Sequence, residues 1–321
     1  MKKKSSMFCA LLLIFAMILT ACGTSTETNT KNTAKGSAPT DVSKAESSVV
    51  KVIAASDPAK LPDVAKNRKD TLIVGTTAPS GKFNPIYSDS RYDTWVTDLV
   101  FDSLLMNDAK GNAIPNVAES WDISKDGKTY TFHLKKGVRF SDGKELTAKD
   151  VAFTYNAIAD PNYDGPRIDV VLDIVGYDDY HNDKAGKVTN LQGIKVIDDY
   201  TISFTFDKAN AAALTNNFGY GIMSKDYYGF KKGDTQKLKD LLLKPMGSGA
   251  YLFKDYKAGQ EIDFEARPDY WKGAPKIKNI IIKVTNADTQ IQELTSGGVD
   301  VDIVAARPEN TKLLQDAGFL N

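Results

Sequence analysis

Ala118–Tyr155, AESWDISKDGKTYTFHLKKGVRFSDGKELTAKDVAFTY, is the stretch on which the fold turns. Its first half predicts a hairpin: Glu119 to Ser124, a turn at Lys125-Asp126-Gly127, then Lys128 to Leu134, where Tyr130, Phe132 and Leu134 alternate with Thr129, Thr131 and His133. One apolar and one polar face at period two mark a half-buried strand. Asp-Gly supplies the positive φ that a tight connection needs. A second turn, Ser141-Asp142-Gly143-Lys144, leads to Thr147, whose hydroxyl can cap a helix, with Asp150 three residues on at the capping-box position. The spacing predicts a helix over 148–158.

Working outward, Gly137-Val138-Arg139-Phe140-Ser141-Asp142-Gly143 and Leu146-Thr147-Ala148-Lys149-Asp150-Val151 are joined by a second block, Gly247-Ser248-Gly249-Ala250-Tyr251 followed by Pro268-Asp269-Tyr270-Trp271-Lys272-Gly273-Ala274-Pro275. Together these runs resemble family 5 solute-binding proteins, the peptide and nickel receptors of ABC importers. The sequence departs from the family's pattern at Ala250, where proline is usual, and at Arg267-Pro268, where asparagine is common. Matching blocks run in order from about Leu72 to Val304.

The resemblance implies a mixed α/β fold, a periplasmic-binding-protein type II-like lobe with an inserted small subdomain. Lobe I would comprise 71–105 plus 198–303, resuming where Ile202, Phe204 and Phe206 alternate after a turn at Asp198-Asp199. The small subdomain would be 106–197, with a polar, Gly- and Asp-rich connection from Tyr163 to Gly186. Gly298 to Val304 looks like the segment that crosses from lobe I into lobe III. The start of lobe III would be 304–321, and the second lobe is expected to be largely missing, as in a fragment, a split gene product or a short form. A two-lobed trap gains affinity by desolvating its ligand between two faces, so one lobe alone is expected to bind weakly.

Nearer the start of this region, Thr71-Leu72-Ile73-Val74-Gly75 is a short apolar run ending in glycine and reads as a buried strand. Tyr92, Trp95, Val96, Leu99, Val100 and Leu104 fall at helical spacing, predicting an amphipathic helix over 91–105 in which Trp95 packs on the core. Further strands are expected near 249–255, 260–266 and 278–285, with a helix over 286–296.

Ahead of the folded part, Met1-Lys2-Lys3-Lys4 precedes an apolar run from Met7 to Ile18. A membrane core of about 30 Å needs roughly 20 residues, so 1–21 reads as a signal peptide rather than a spanning helix. Leu19-Thr20-Ala21-Cys22-Gly23 matches the bacterial lipobox, so Cys22 is the expected lipidation site and the protein is expected on the outer face of the cytoplasmic membrane. Two acyl chains hold firmly where one holds marginally. The remainder of 22–70 is expected to be a flexible tether, clearest from Gly23 to about Ser48, where Thr, Ser, Asn, Lys and Ala recur without periodicity. Cys9 and Cys22 are the only cysteines, so the folded part has no disulfide framework. Charge is balanced at 41 against 41, and loss of Lys2, Lys3 and Lys4 leaves a slight acidic excess, which does not call for nucleic acid.

Four patterns with a chemical look have plainer readings. Asp122-x-Ser124-x-Asp126-Gly127 begins like a calcium loop, but the twelfth position is His133, and a turn built on Asx hydrogen bonds accounts for it. Gly75 to Lys82 has one residue too many between its glycines for a phosphate loop and is followed by Phe83. His133 and His181 are the only histidines, which speaks against a His/Cys metal site and against a serine nucleophile with a histidine base. Gly247-Ser248-Gly249 does not make the G-x-S-x-G elbow. No cofactor and no catalysis are expected.

Recognition remains. A receptor that tolerates many side chains reads the main chain and termini, using backbone groups and a few aromatic or polar residues. In the family the loop after the first strand borders the ligand cleft, which points to Thr77, Ser80, Asn84, Pro85 and Tyr87. Phe218-Gly219-Tyr220-Gly221 offers glycines and rings that let a ligand approach the backbone, with a plain turn as the alternative. The expected function is capture of oligopeptides for ABC permease transmembrane subunits by a lipoprotein held in the bilayer through Cys22. Alternatives are a nickel, metallophore or other small-solute receptor of the same family, or a chaperone-like interaction lipoprotein.

Overall fold

A computed structural model describes residues 53–183 and 185–320. β1 (Thr71–Thr76) opens the chain's first sheet and is followed by a helix, Arg91–Val100. β2 (Leu105–Asn107) and β3 (Ala113–Pro115) form a small hairpin. Next come β4 (Ala118–Ile123), β5 (Thr129–Leu134) and the helix Ala148–Ile158. After a loop-rich stretch lie β6 (Ile194–Asp198) and β7 (Thr201–Thr205), and then β8 (Tyr251–Lys257), β9 (Glu261–Ala266) and β10 (Asn279–Val284).

The first sheet has the order β1-β10-β9-β8. β1 runs parallel to β10, with Leu72 opposite Ile280 and Val74 opposite Ile282, and the other pairs are antiparallel. The other edge of β1 is covered by the segment around Val301. Gly75 donates its N–H to the Val301 carbonyl at 2.7 Å, and Asp300 donates to the Ile73 carbonyl at 2.8 Å. Ile73 in turn donates to Asp300 Oδ2 at 2.7 Å, so β1 is paired on both sides. A Cβ at 75 would lie 2.3 Å from Asp302 Oδ2, so any larger residue there has to displace the Asp302 carboxylate.

The second sheet, β4-β5-β7-β6, is antiparallel throughout. In β5 the alternation reads through to burial: Tyr130, Phe132 and Leu134 are buried and their neighbours are half-buried. The turn is held by Asp126 Oδ1, which accepts the Lys128 N–H at 3.2 Å, while Gly127 takes φ 69°. The helix Ala148–Ile158 begins as expected. Thr147 donates its N–H to Asp150 Oδ2 at 2.9 Å, and its hydroxyl donates to the same oxygen at 3.0 Å.

Two expectations are corrected. β7 does not restart the first sheet at residue 198. It pairs with β5, setting Ile202 opposite Phe132 and Phe204 opposite Tyr130, so the hairpin sheet continues across the expected subdomain boundary. The physical reason is aromatic packing: Phe204 lies 4.8 Å from Tyr155 and 5.0 Å from Phe218, ring centre to ring centre. The amphipathic helix also ends at Val100 rather than 105, because Phe101 is extended and the Val100 carbonyl is taken by the Gly249 N–H at 2.8 Å. Both sheets contribute to one continuous apolar core.

Candidate functional site

Past the C-terminal end of β1 the chain forms a loop whose shape is set by one carboxylate. Asp93, fully buried in the first turn of the helix Arg91–Val100, accepts the Ser80 hydroxyl at 2.6 Å, the Ser90 hydroxyl at 2.5 Å and the N–H groups of Gly81 and Lys82 at 3.0 and 3.1 Å. Ser90 caps that helix by accepting the Asp93 N–H at 3.0 Å. On the exposed side Lys82 donates to Asp89; the hydrogen bond lowers the Asp89 pKa and raises that of Lys82.

The second candidate run is packed directly on this loop. A Cβ on Gly221 would lie 2.6 Å from the Phe101 Cβ and 3.0 Å from the Pro85 Cβ, so the two segments meet at a distance only glycine allows. Asn84 and Met223 make a further link, with Asn84 Nδ2 donating to the Met223 sulfur at 3.4 Å. Nothing lies within 4 Å of where a Gly219 side chain would begin, and Gly219 is exposed.

Around this junction three residues outside the expected set supply polar chemistry. The guanidinium of Arg167 lies 5.1 Å from the centre of the half-buried Tyr220 ring and donates from Nη2 to the Ser88 carbonyl at 2.8 Å. Tyr163 donates its hydroxyl to the Ile86 carbonyl at 2.5 Å and accepts the Arg167 N–H at 3.1 Å. The Tyr87 ring stands 5.3 Å from that of Tyr163. Burial, helped by the charge of Asp164, pushes the Tyr87 phenol up to about 12. Burial also raises Tyr220, against the opposing charge of Arg167.

The structure thus sorts the expected site residues. Thr77 and Ser80 are exposed, Gly219 is exposed, and Tyr220 and Gly221 are half-buried. Pro85 and Tyr87 are buried at the junction between the two runs. Asn84 is corrected: it is fully buried, and its carbonyl oxygen accepts the Ile86 N–H at 3.1 Å, so its polar groups shape the loop instead of meeting a solute. Phe218 is corrected too, being fully buried 4.5 Å from Phe132 in the aromatic core. Cys22 lies outside the described residues. Sequence reasoning missed Tyr163 and Arg167, which lie in the stretch read as a polar connection, and Ser88, which lies in the loop expected to border the cleft but was not singled out there.

Other polar groups are occupied structurally. Asp122 meets His133 Nε2 at 2.9 Å, and His181 Nδ1 lies 3.1 Å from the Ala159 carbonyl oxygen. Among the described residues no group of three or more His, Cys, Asp or Glu is placed to hold a metal ion. Tyr270 and Trp271, from the second sequence block, both donate at 2.9 Å to the buried Asp102. Two cavities of about 250 and 260 Å³ flank the helix Ala148–Ile158, and none of the expected site residues lines either.

Comparison with known proteins gives a consistent picture. The family model described as bacterial extracellular solute-binding proteins, family 5 Middle, matches residues 112–320. Di/tripeptide-binding protein 3 of Pseudomonas aeruginosa (strain UCBPP-PA14) is 32% identical over 257 residues, covering 76% of this chain and 46% of that protein. The oligopeptide-binding protein AppA from Bacillus subtilis, solved in complex with a nonapeptide, matches at TM-score 0.61 and 28% identity over 71% of this chain and 43% of that one. NikZ from Campylobacter jejuni, solved in complex with Ni(L-His), matches at TM-score 0.64 and 25% identity over 76% and 45%. The chain spans about half the length of the curated relatives it matches.

Proposed function

Because the chain belongs to the bacterial extracellular solute-binding proteins of family 5, a family that binds solutes and does not transform them, we propose that it takes part in capturing peptides outside the cytoplasmic membrane for an ABC permease. The observation that carries this reading is the junction of loop 77–89 with 218–221 beyond the end of β1. There the exposed Gly219 leaves main chain open beside the ring of Tyr220. Open backbone and an aromatic face suit a ligand recognised by its main chain.

Within this reading the first sheet, with the covering segment around Val301, forms a lobe I, and 304–321 begins a further lobe. Cys22 carries the acyl chains that hold the protein at the membrane, and the permease's ATPase supplies the energy of transport. An oligopeptide is the ligand favoured here. A nickel chelate is the second reading, supported by the likeness to NikZ, which was solved with Ni(L-His).

Calorimetric titration of the full chain with peptides of two to nine residues tests the proposal. Measurable binding, weak as expected of one lobe, that falls at least tenfold in Tyr220→Ala, whose fold is checked by thermal melting, supports both ligand and site. Peptide affinity unchanged in that variant removes Tyr220 from the site, and absence of peptide binding alongside uptake of Ni(L-His) transfers the assignment to the second reading.

A further inference from the structure

We propose that Arg167, laid against the ring of Tyr220, is a carboxylate-binding subsite; the inference rests on the peptide reading given above. The guanidinium has five N–H donors in a planar fork and cannot lose its charge. One donor goes to the Ser88 carbonyl at 2.8 Å. Nε is buried and has no hydrogen-bond partner. Among the described residues no carboxylate forms an ion pair with Arg167.

Two other arginines in partly or fully buried positions are treated differently. Arg68 pairs with Asp300, and Arg267 pairs with Asp269 at 3.2 Å. A cation drawn partly out of water without a counter-ion is costly, and the cost falls when an anion arrives. Asp164, which is close in sequence, is committed to Lys239 at 2.7 Å. Asp169 is exposed.

The placement favours a ligand as the source of the missing anion. The guanidinium carbon lies 5.1 Å from the centre of the Tyr220 ring, and a guanidinium beside an aromatic ring offers two parallel hydrogen bonds to a carboxylate. Tyr220 follows Gly219, which has open space beside it, and Ser88 belongs to the loop that closes the junction. The carboxylate is either the C-terminal group of a peptide or an acidic side chain within it.

The test uses the full chain and three matched peptides: a neutral peptide with a free C-terminal carboxylate, its C-terminal amide, and the amide with one residue changed to Glu. Amidation is expected to weaken binding about tenfold, equivalent to about 1.4 kcal/mol. Recovery in the Glu peptide identifies side-chain carboxylates as accepted, and lack of recovery identifies the C-terminus. Arg167→Gln is expected to bind acid and amide alike at the wild-type affinity for the amide, and Arg167→Lys to retain part of the difference. Equal binding of all three peptides by the wild type, or an undiminished acid preference in folded Arg167→Gln, overturns the subsite while leaving the peptide reading intact. Failure of the wild type to bind any peptide overturns the peptide reading and the subsite with it. If Arg167→Gln does not fold, Arg167→Lys decides: a full wild-type preference for the acid in that variant counts against a bidentate fork.

Discussion

Gly249 donates its N–H to the carbonyl of Val100 at 2.8 Å, across 149 positions of sequence, and so stops the helix Arg91–Val100. A Cβ on Gly249 would lie 2.5 Å from the Val100 carbonyl carbon. Backbone on both sides leaves no flexible group to yield. Gly249→Ala is therefore expected to cost about 1–3 kcal/mol, the range of an overpacked core. Urea denaturation checks this, and an unchanged midpoint would show that the two segments separate freely.

Asp93 is the second structural hinge point. Removing its carboxylate strands the N–H groups of Gly81 and Lys82 and the hydroxyls of Ser80 and Ser90. Hydrogen bonds to a charged group contribute about 1.5–3 kcal/mol each, and some of the freed donors will find water. Asp93→Ala is expected to lose about 3 kcal/mol, with amide exchange accelerated first at Gly81 and Lys82. Exchange that speeds up uniformly over the whole protein would contradict a local role.

How much of this was legible in the sequence depends on how far apart the partners lie. The β4–β5 hairpin and the Thr147 cap are built from contacts no more than 16 positions apart, and alternation at Tyr130, Phe132 and Leu134 announces the hairpin. β8 and β9 form another local hairpin, whereas β10 pairs with β9 and, across 208 positions, with β1. The assignment of β7 failed because period two states which face is buried, not which sheet receives it; Phe204 was drawn to Tyr155 and Phe218. The site was less legible. Asn84 and Phe218 looked like ligand contacts because of residue type, yet burial decides their roles. Arg167 carried no local signal, since its partners Ser88 and Tyr220 are 79 and 53 positions away.

Phe218 lends itself to a direct test of that revision. Its ring meets Phe132 at 4.5 Å and Phe204 at 5.0 Å with no exposed surface. Phe218→Ala is expected to cost about 3–5 kcal/mol through the cavity it leaves. Phe218→Leu, closer in volume, is expected to cost about 1 kcal/mol and to leave ligand affinity of the folded protein within twofold. A tenfold affinity loss in folded Phe218→Leu would return this ring to the contact surface.

Tyr87 makes alkaline stability a readout of the junction. Its hydroxyl is buried without a hydrogen-bond partner, and burial raises the phenol from 10.0 to about 12. Below pH 10 the group is neutral in both the folded and the unfolded chain, and its contribution to stability is fully present. Between about pH 10 and 12 the unfolded chain ionises first, so stability declines with rising pH, and the loss is complete once the folded phenol ionises as well. At about 1.4 kcal/mol for each pH unit, Tyr87 accounts for roughly 2–3 kcal/mol of that decline. Tyr87→Phe removes a hydroxyl that makes no bond, so stability at pH 7 should stay level or rise slightly. Between pH 9 and 11.5 the variant should lose less stability than the wild type, by about 2 kcal/mol in urea unfolding. Parallel curves for the two proteins would show that this phenol is reached by water in the folded state.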